Sequence, residues 1–332
     1  MPRLNQHVLG ALALALAAWT APGSANACTT ATTSIDIGDH SSYAVAAGPQ
    51  SGSGSAGLQC DILLAALTPH YVGLQVDAST FRLTGPGGGQ IIFAASLTPN
   101  GAPLTVGNFQ NLSSLSLLSL FAGTSNSIPL YIRTAATPAL RAGIYTGHID
   151  LRWYYSVCAL GVAVCLSHSA SPGFVRPILL TPLNWGTGTT VRVNIELEVE
   201  KDCIITAHDL DFGQAPLAGS FNAVTRTILI RCSAGAAYTV GLDDGEHASG
   251  GIRRMQNGAN HLRYEIYKSA SSPDRWGATG SARRDSGGAD TGAGIYDSVT
   301  TQSYSYRAAI LSGQMTPPPG EYRDTIRIDV DF

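Results

Sequence analysis

The stretch Val191-Arg-Val-Asn-Ile-Glu-Leu-Glu-Val199 alternates apolar and polar residues without a break. Successive side chains of an extended chain point to opposite faces. Val191, Val193, Ile195, Leu197 and Val199 therefore share one face, and Arg192, Asn194, Glu196 and Glu198 share the other. A period of two built on β-branched residues predicts a strand with one side in a core and one in water. The chain ends on the same pattern, with Ile326, Ile328, Val330 and Phe332 set against Thr325, Arg327, Asp329 and Asp331. Thr227–Arg231, Tyr238–Leu242, Leu262–Tyr267 and Tyr304–Ile310 are short, rich in aromatic or β-branched residues, and bounded by Gly, Pro, Asp or Ser clusters. Together they predict an all-β protein of antiparallel sandwiches.

Composition agrees. Glycine is abundant at 37 residues, charged residues make up only 13%, and Lys201 and Lys268 are the only lysines. A net charge of -3 gives no footprint for nucleic acid. Arg3, an apolar run from Val8 to Trp19 and small residues ending in Ala25-Asn26-Ala27 read as a signal peptide over residues 1–27, cleaved before Cys28. The run is too short to cross a bilayer. Acylation of Cys28 is the alternative, although Ala25 and Asn26 fit a lipobox poorly.

Length beyond residue 27 favours two domains. Six cysteines in an exported chain favour disulfides, and their spacing suggests Cys28–Cys60, Cys158–Cys165 and Cys203–Cys232. On the chain-entropy model a loop of roughly 30 residues contributes about 3.5 kcal/mol. The halves also match at an offset of about 175 residues. Cys28…Ile35-Asp-Ile-Gly38 parallels Cys203…Leu210-Asp-Phe-Gly213, and Cys60 with Tyr71 onward parallels Cys232 with Tyr238 onward. Gly143-Ile-Tyr145-Thr-Gly-His-Ile-Asp-Leu-Arg152 parallels Gly320-Glu-Tyr322-Arg-Asp-Thr-Ile-Arg-Ile-Asp329. Three blocks in one order predict a duplicated domain. The predicted layout is 28–190 for an N-terminal domain, 191–200 for a linking strand and 201–332 for a C-terminal domain.

The second half resembles the spore coat protein U domain family of archaic (Csu-type) chaperone/usher pili. The resemblance rests on Cys203, Leu210-Asp-Phe-Gly213, Cys232, Tyr238 with Leu242-Asp-Asp-Gly245, Arg253-Arg-Met255, Leu262-Arg-Tyr264 with Tyr267, Trp276-Gly277 and Pro319-Gly-Glu-Tyr322-Arg-Asp-Thr325. It implies two immunoglobulin-like sandwiches in tandem, the second lacking its last strand, so that a chaperone and then a neighbouring subunit supply one by donor-strand complementation. Such subunits carry the donor segment just before their first cysteine, which is where Val191, Val193, Ile195, Leu197 and Val199 stand. That segment is read as a strand completing the first domain within the same chain; the alternative is a plain first strand of the second domain. With nothing ahead of Cys28 to donate, the resemblance implies a subunit at the pilus tip. The implied partners are a periplasmic chaperone, an outer-membrane usher, the next subunit, and an abiotic or host surface. The implied place is the cell surface, reached through the periplasm, with a role in attachment and biofilm formation. A structural pilus or surface-coat subunit and a carbohydrate-binding surface protein are the alternatives; for the latter the first half offers Trp153-Tyr154-Tyr155 and Trp185.

Surface contact is expected from apolar loops of the first domain. Asn111-Leu-Ser-Ser-Leu-Ser-Leu-Leu-Ser-Leu-Phe121 fits neither a helical nor a strand period, so Leu112, Leu115, Leu117, Leu118, Leu120 and Phe121 are either an irregular buried segment or an exposed contact loop. Leu160, Val162 and Val164 in the Cys158–Cys165 loop, and Phe174 beyond it, are further candidates. Gly48 to Gly57 and Gly85 to Gly89 read as flexible connections. Catalytic motifs are missing: the chain has no His-Glu-x-x-His, no Gly-x-Ser-x-Gly and no Walker loop. Asp243-Asp244-Gly245 reads as a turn and His208, His247 and His261 as surface residues. No enzyme activity, cofactor or metal is expected.

Overall fold

The computed structural model describes residues 28–61, 69–160 and 165–332. Its first half carries β1 (Cys28–Thr30), β2 (Thr33–Ser41), β3 (Ser51–Cys60), β4 (Tyr71–Ser79), β5 (Arg82–Thr84), β6 (Gln90–Ser96), β7 (Phe109–Asn111), β8 (Ser127–Thr134), β9 (Gly143–Leu160), β10 (Ser167–Ala170) and β11 (Thr189–Glu200). Short helices α1 (Ser42–Ala47) and α2 (Leu117–Leu120) interrupt them. One layer orders as β1-β3-β8-β6-β5, and the facing layer as β4-β9-β11-β2 with β7 and β10 at its margins. The second half carries β12 (Cys203–Thr206), β13 (Val224–Cys232), β14 (Thr239–Leu242), β15 (Arg253–Asn257), β16 (Asn260–Tyr267), β17 (Arg284–Asp285), β18 (Gln302–Ile310) and β19 (Ile328–Asp331). Its larger sheet orders as β12-β13-β18-β16-β15, repeating the first layer strand for strand, and its smaller sheet orders as β17-β14-β19.

Each half has its own apolar core, one drawn from Cys28 to Val199 and one from Cys203 to Val330. Equivalent tyrosines close equivalent corners: Tyr145 Oη donates to Arg141 O (2.9 Å) and Tyr322 Oη to Pro318 O (2.7 Å). Disulfides join Cys28 to Cys60, Cys158 to Cys165 and Cys203 to Cys232. With its sulfur bonded to Cys60, Cys28 has no thiol left to acylate. The halves meet where the buried Ser42 and Ser233 hydroxyls share a hydrogen bond (2.7 Å) and Tyr43 Oη donates to Cys232 O (3.2 Å). Burial pushes the Tyr43 phenol up to about 12.

β11 runs antiparallel to β9 and parallel to β2, with Val193 opposite Ile149 and Ile195 opposite Ile35. Its five apolar residues are all buried. At about 1.5–3 kcal/mol for each side chain removed from water, the strand is a major stabilising element of the first core.

Two expectations need correction. The glycine-rich stretch after Gly48 is mostly strand β3, not a flexible connection. A Cβ on Gly54 would stand 2.7 Å from Ile35 Cγ1, so the missing side chains are what let β3 lie close under β2. The stretch from Leu112 to Phe121 is not a contact loop throughout. Ser116 Oγ accepts from Ser119 N (3.1 Å) and caps the single turn α2, which sends Leu117, Leu120 and Phe121 at spacing i, i+3, i+4 into the core. Leu112 is buried as well. Only Leu115 and Leu118 face solvent, at 47% and 66% exposure.

Candidate functional site: an open edge and an apolar pole

The two sandwiches differ at one place. In the first, β9 has β4 on one side and β11 on the other, and β11 in turn holds β2. In the second, β19 pairs with β14 on one side, and among the described residues no strand pairs with its other edge. The consequence shows residue by residue. Ile35 and Ile37 are 1% and 6% exposed, while their counterparts Leu210 and Phe212 are only half-buried. Ile149 and Leu151 are fully buried, while their counterparts Ile326 and Ile328 are half-buried, as is Val330. Residues matching β2 form no strand in the second half, and of the alternating run Thr325–Phe332 only Ile328–Asp331 is strand. Backbone groups without a ladder partner do not hold a regular strand. Leu210, Phe212, Ile326, Ile328 and Val330, all packed against the second core, thus stay partly open to solvent, as an unfilled apolar groove beside β19 would leave them.

The motif residues of the second half build the wall behind this groove. Arg253 is fully buried; its guanidinium donates to Leu242 O (3.0 Å), Asp243 O and Trp276 O (2.8 Å) and pairs with Glu265 Oε1 (2.5 Å). Burial pulls its pKa down, and Glu265 opposes the shift. Trp276 Nε1 donates to Val240 O (2.9 Å), and Tyr264 Oη to Asp324 Oδ2 (2.7 Å), with burial raising the phenol far above its ordinary value. Asp243 Oδ1 accepts from Gly245 N and Arg327 N, both at 3.0 Å, which is turn chemistry. Among the described residues no group of three or more His, Cys, Asp or Glu side chains is placed to hold a metal ion.

A second feature lies at the far pole of the first sandwich. β9 leads away from the second half and β11 leads back to it, so the segment between them, 171–188, sits at the distal end. At about 3.3 Å per residue, the twelve-residue β11 separates that pole from Cys203 by about 40 Å. There Val175 and Asn184 exchange backbone hydrogen bonds (2.8 and 3.0 Å), as do Ile178 and Thr181, forming a hairpin whose apex is Leu179-Leu180. Ile178, Leu179 and Leu180 are 67%, 104% and 99% exposed. Leu179 holds φ at +37°, a left-handed turn that a leucine adopts only under strain.

Trp185 anchors the hairpin base. Its ring meets Phe109 (5.0 Å), Phe174 (5.6 Å), Tyr71 (6.4 Å) and Tyr154 (6.4 Å) edge-on. Arg176 stacks 5.0 Å above Tyr71 and donates to Ser156 Oγ and Pro69 O, both at 2.9 Å. Phe174 is therefore half-buried in an aromatic cluster rather than offered alone. Trp153, another aromatic candidate, is fully buried and donates to Ala56 O (2.8 Å). Leu115 and Leu118 are at the same pole, where His70 Nε2 bonds Leu115 O (2.8 Å), and exposed Leu166 follows the Cys158–Cys165 loop. Val162, Val164 and the side chain of Leu160 lie outside the described residues. The sequence signal for Leu179 and Leu180 is a run of three apolar residues between Pro177 and Pro182, neither of which can donate to a ladder.

Tandem sandwiches on one plan, one sealed by its own strand and one open, define an all-β subunit of the pilus-adhesin kind. The model of the Spore Coat Protein U domain matches residues 189–329, beginning at the first residue of β11. The crystal structure of the CsuC–CsuE chaperone-tip adhesion subunit pre-assembly complex, from archaic chaperone-usher Csu pili of Acinetobacter baumannii, matches at 30% identity and TM-score 0.72. That match covers 92% of this chain and 100% of that one. CfaE, the adhesive subunit of CFA/I fimbria of enterotoxigenic Escherichia coli, is similar over 91% of this chain and 93% of its own at only 10% identity and TM-score 0.30. No curated protein matches by sequence. The chain belongs to the spore coat protein U domain family of pilus adhesin subunits. Proteins of that family are of a non-enzymatic kind.

Proposed function

We propose that this chain is a tip adhesin of an archaic chaperone/usher pilus, attaching cells to surfaces and supporting biofilm formation. Residues 28–190 are the adhesive domain, 191–200 its own completing strand, and 201–332 the pilin domain by which it joins the fibre. The observation that carries the reading is the contrast between equivalent positions, Ile149 and Leu151 sealed beneath β11 and Ile326 and Ile328 half-open beside the bare edge of β19. A strand from a periplasmic chaperone, and later from the next subunit, fits that edge and removes the exposed apolar row from water. The family match starting at β11 supports reading Val191, Val193, Ile195, Leu197 and Val199 as a donor-type strand kept within the chain.

Contact with the surface falls to Leu179 and Leu180, with Ile178, Leu115, Leu118 and Leu166 around them. Two leucines on a strained apex break a local rule without any gain in stability, as functional positions do. The aromatic cluster at Trp185 holds the hairpin before contact, so little entropy is lost on binding. Replacing Leu179 and Leu180 by serine in the full chain tests this. Attachment to polystyrene is expected to fall at least tenfold while the melting temperature stays unchanged. Undiminished attachment, or selective binding to a glycan through Trp185, overturns the apolar-contact reading.

A further inference from the structure

The outward charges beside the two grooves are reversed between the halves. On β9, Asp150 and Arg152 flank the inward Leu151; at the matching positions of the second half, Arg327 and Asp329 flank Ile328. In the first half the filling strand answers the charge it meets. Arg192 stands opposite Asp150 in the ladder and binds it through two hydrogen bonds of 2.8 and 2.9 Å. In the second half Asp329 is already engaged by Arg283 (2.6 Å), and Arg323 by Glu321 (2.5 Å). Arg327 is exposed, and among the described residues its guanidinium has no ion-pair partner. Its backbone N–H donates to Asp243 Oδ1, which ties the main chain to β14's side and leaves the side chain on the outer face beside the bare edge.

Resting on the open-groove reading above, we propose that Arg327 selects the strand that enters. The occupant is an extended segment of another polypeptide with apolar residues at every second position and a carboxylate opposite Arg327. A strand lying in β19's groove in the register of β11 places the residue equivalent to Arg192 against Arg327. Charges directly opposite across a ladder attract or repel side chain to side chain. β11 of a second copy would thus set arginine against arginine, which disfavours the chain's own strand and so disfavours self-polymerisation.

Two synthetic strands differing at one residue test this on the full chain. One has the sequence of Thr189–Glu200, and the other carries glutamate in place of Arg192. The glutamate strand is expected to bind about three- to tenfold more tightly at low salt, and Arg327→Asp is expected to invert the order. Arg327 is exposed, so that substitution leaves the fold intact, and hydrogen exchange along 326–330 reports whether the groove is filled. Equal affinities, or an order that Arg327→Asp leaves unchanged, overturn the selection by Arg327 and leave the groove reading standing. If neither strand binds, the groove reading itself fails and the proposal with it.

Discussion

A Cβ placed on Gly57 would stand 2.6 Å from Cγ2 of Val191 and 2.8 Å from Ala31 O, so β3 and β11 touch with no room for a side chain between them. Gly57 also holds φ at +84°, where other residues are strained. The first residue of β11's apolar row is thus seated on a backbone that leaves it room. Gly57→Val combines overpacking with a left-handed backbone and is expected to cost about 2–4 kcal/mol. Thermal unfolding measures it, and protease cleavage within 189–200 at temperatures where the parent chain resists shows whether β11 has been displaced.

Arg253 offers the opposite case, a charge that cannot be traded for a hydrocarbon. Breaking a buried ion pair costs about 3–5 kcal/mol, yet replacing both partners by apolar residues is often harmless. Here the guanidinium also satisfies the carbonyls of Leu242, Asp243 and Trp276. Arg253→Met is therefore expected to destabilise the second sandwich strongly, and the double change with Glu265→Leu is expected not to restore it. Denaturant unfolding of the parent, single and double variants checks both parts.

Leu118 and Leu120 separate the two faces of α2. Leu120→Ser removes a side chain that is 4% exposed and is expected to cost about 3 kcal/mol. Leu118→Ser, at 66% exposure, is expected to leave the melting temperature unchanged and to reduce attachment only.

Much of the plan was legible because it rests on periods and spacings. The alternation from Val191 to Val199 and the repeated Gly-x-Tyr block each dictate a geometry that the structure displays, including the matching Tyr145 and Tyr322 corners. The run from Leu112 to Phe121 was not legible, because a helical turn four residues long has no period to detect. Its direction is set by Ser116 capping and by the core beneath it. β3 was not legible for a related reason: glycine in a strand signals a loop until the neighbour it accommodates, here Ile35 or Val191, is known. Leu179 and Leu180 escaped because a two-residue turn is expected to hold glycine or asparagine, and the exception is informative only once the hairpin is seen.

The Asp150–Arg192 pair makes the seating of β11 sensitive to acid. The hydrogen-bonded guanidinium of Arg192 holds the Asp150 carboxyl below its ordinary value of 3.8. A carboxylate whose folded pKa is depressed contributes stability that is present above the unfolded pKa and is lost as pH falls through the folded value. The contribution is therefore expected whole at neutral pH and gone well below pH 3.8. Asp150→Asn isolates it from Asp290 and Asp297, whose carboxyls are also held low. The gap in melting temperature between parent and variant should be positive at pH 6 and close as pH falls well below 3.8. A gap independent of pH would mean that the pair adds no charge-dependent stability.

The hairpin apex sets stability against function. Leu179 takes a positive φ for which Asn or Gly is the natural occupant, and Leu180 beside it buries nothing within the chain. Changing Leu179-Leu180 to Gly-Asn supplies glycine at the one central position of the turn that holds a positive φ. It relieves strain of about 1 kcal/mol and deletes both apolar side chains from the surface. The expected outcome is a hairpin as stable as the parent or more so, read by slower amide exchange at Ile178 and Thr181, together with lost attachment to hydrophobic plastic. Should the variant attach as well as the parent, the leucines serve some purpose other than contact. Should it attach poorly because the hairpin has loosened, amide exchange would speed up rather than slow down, so the two measurements together separate a lost surface from a lost shape.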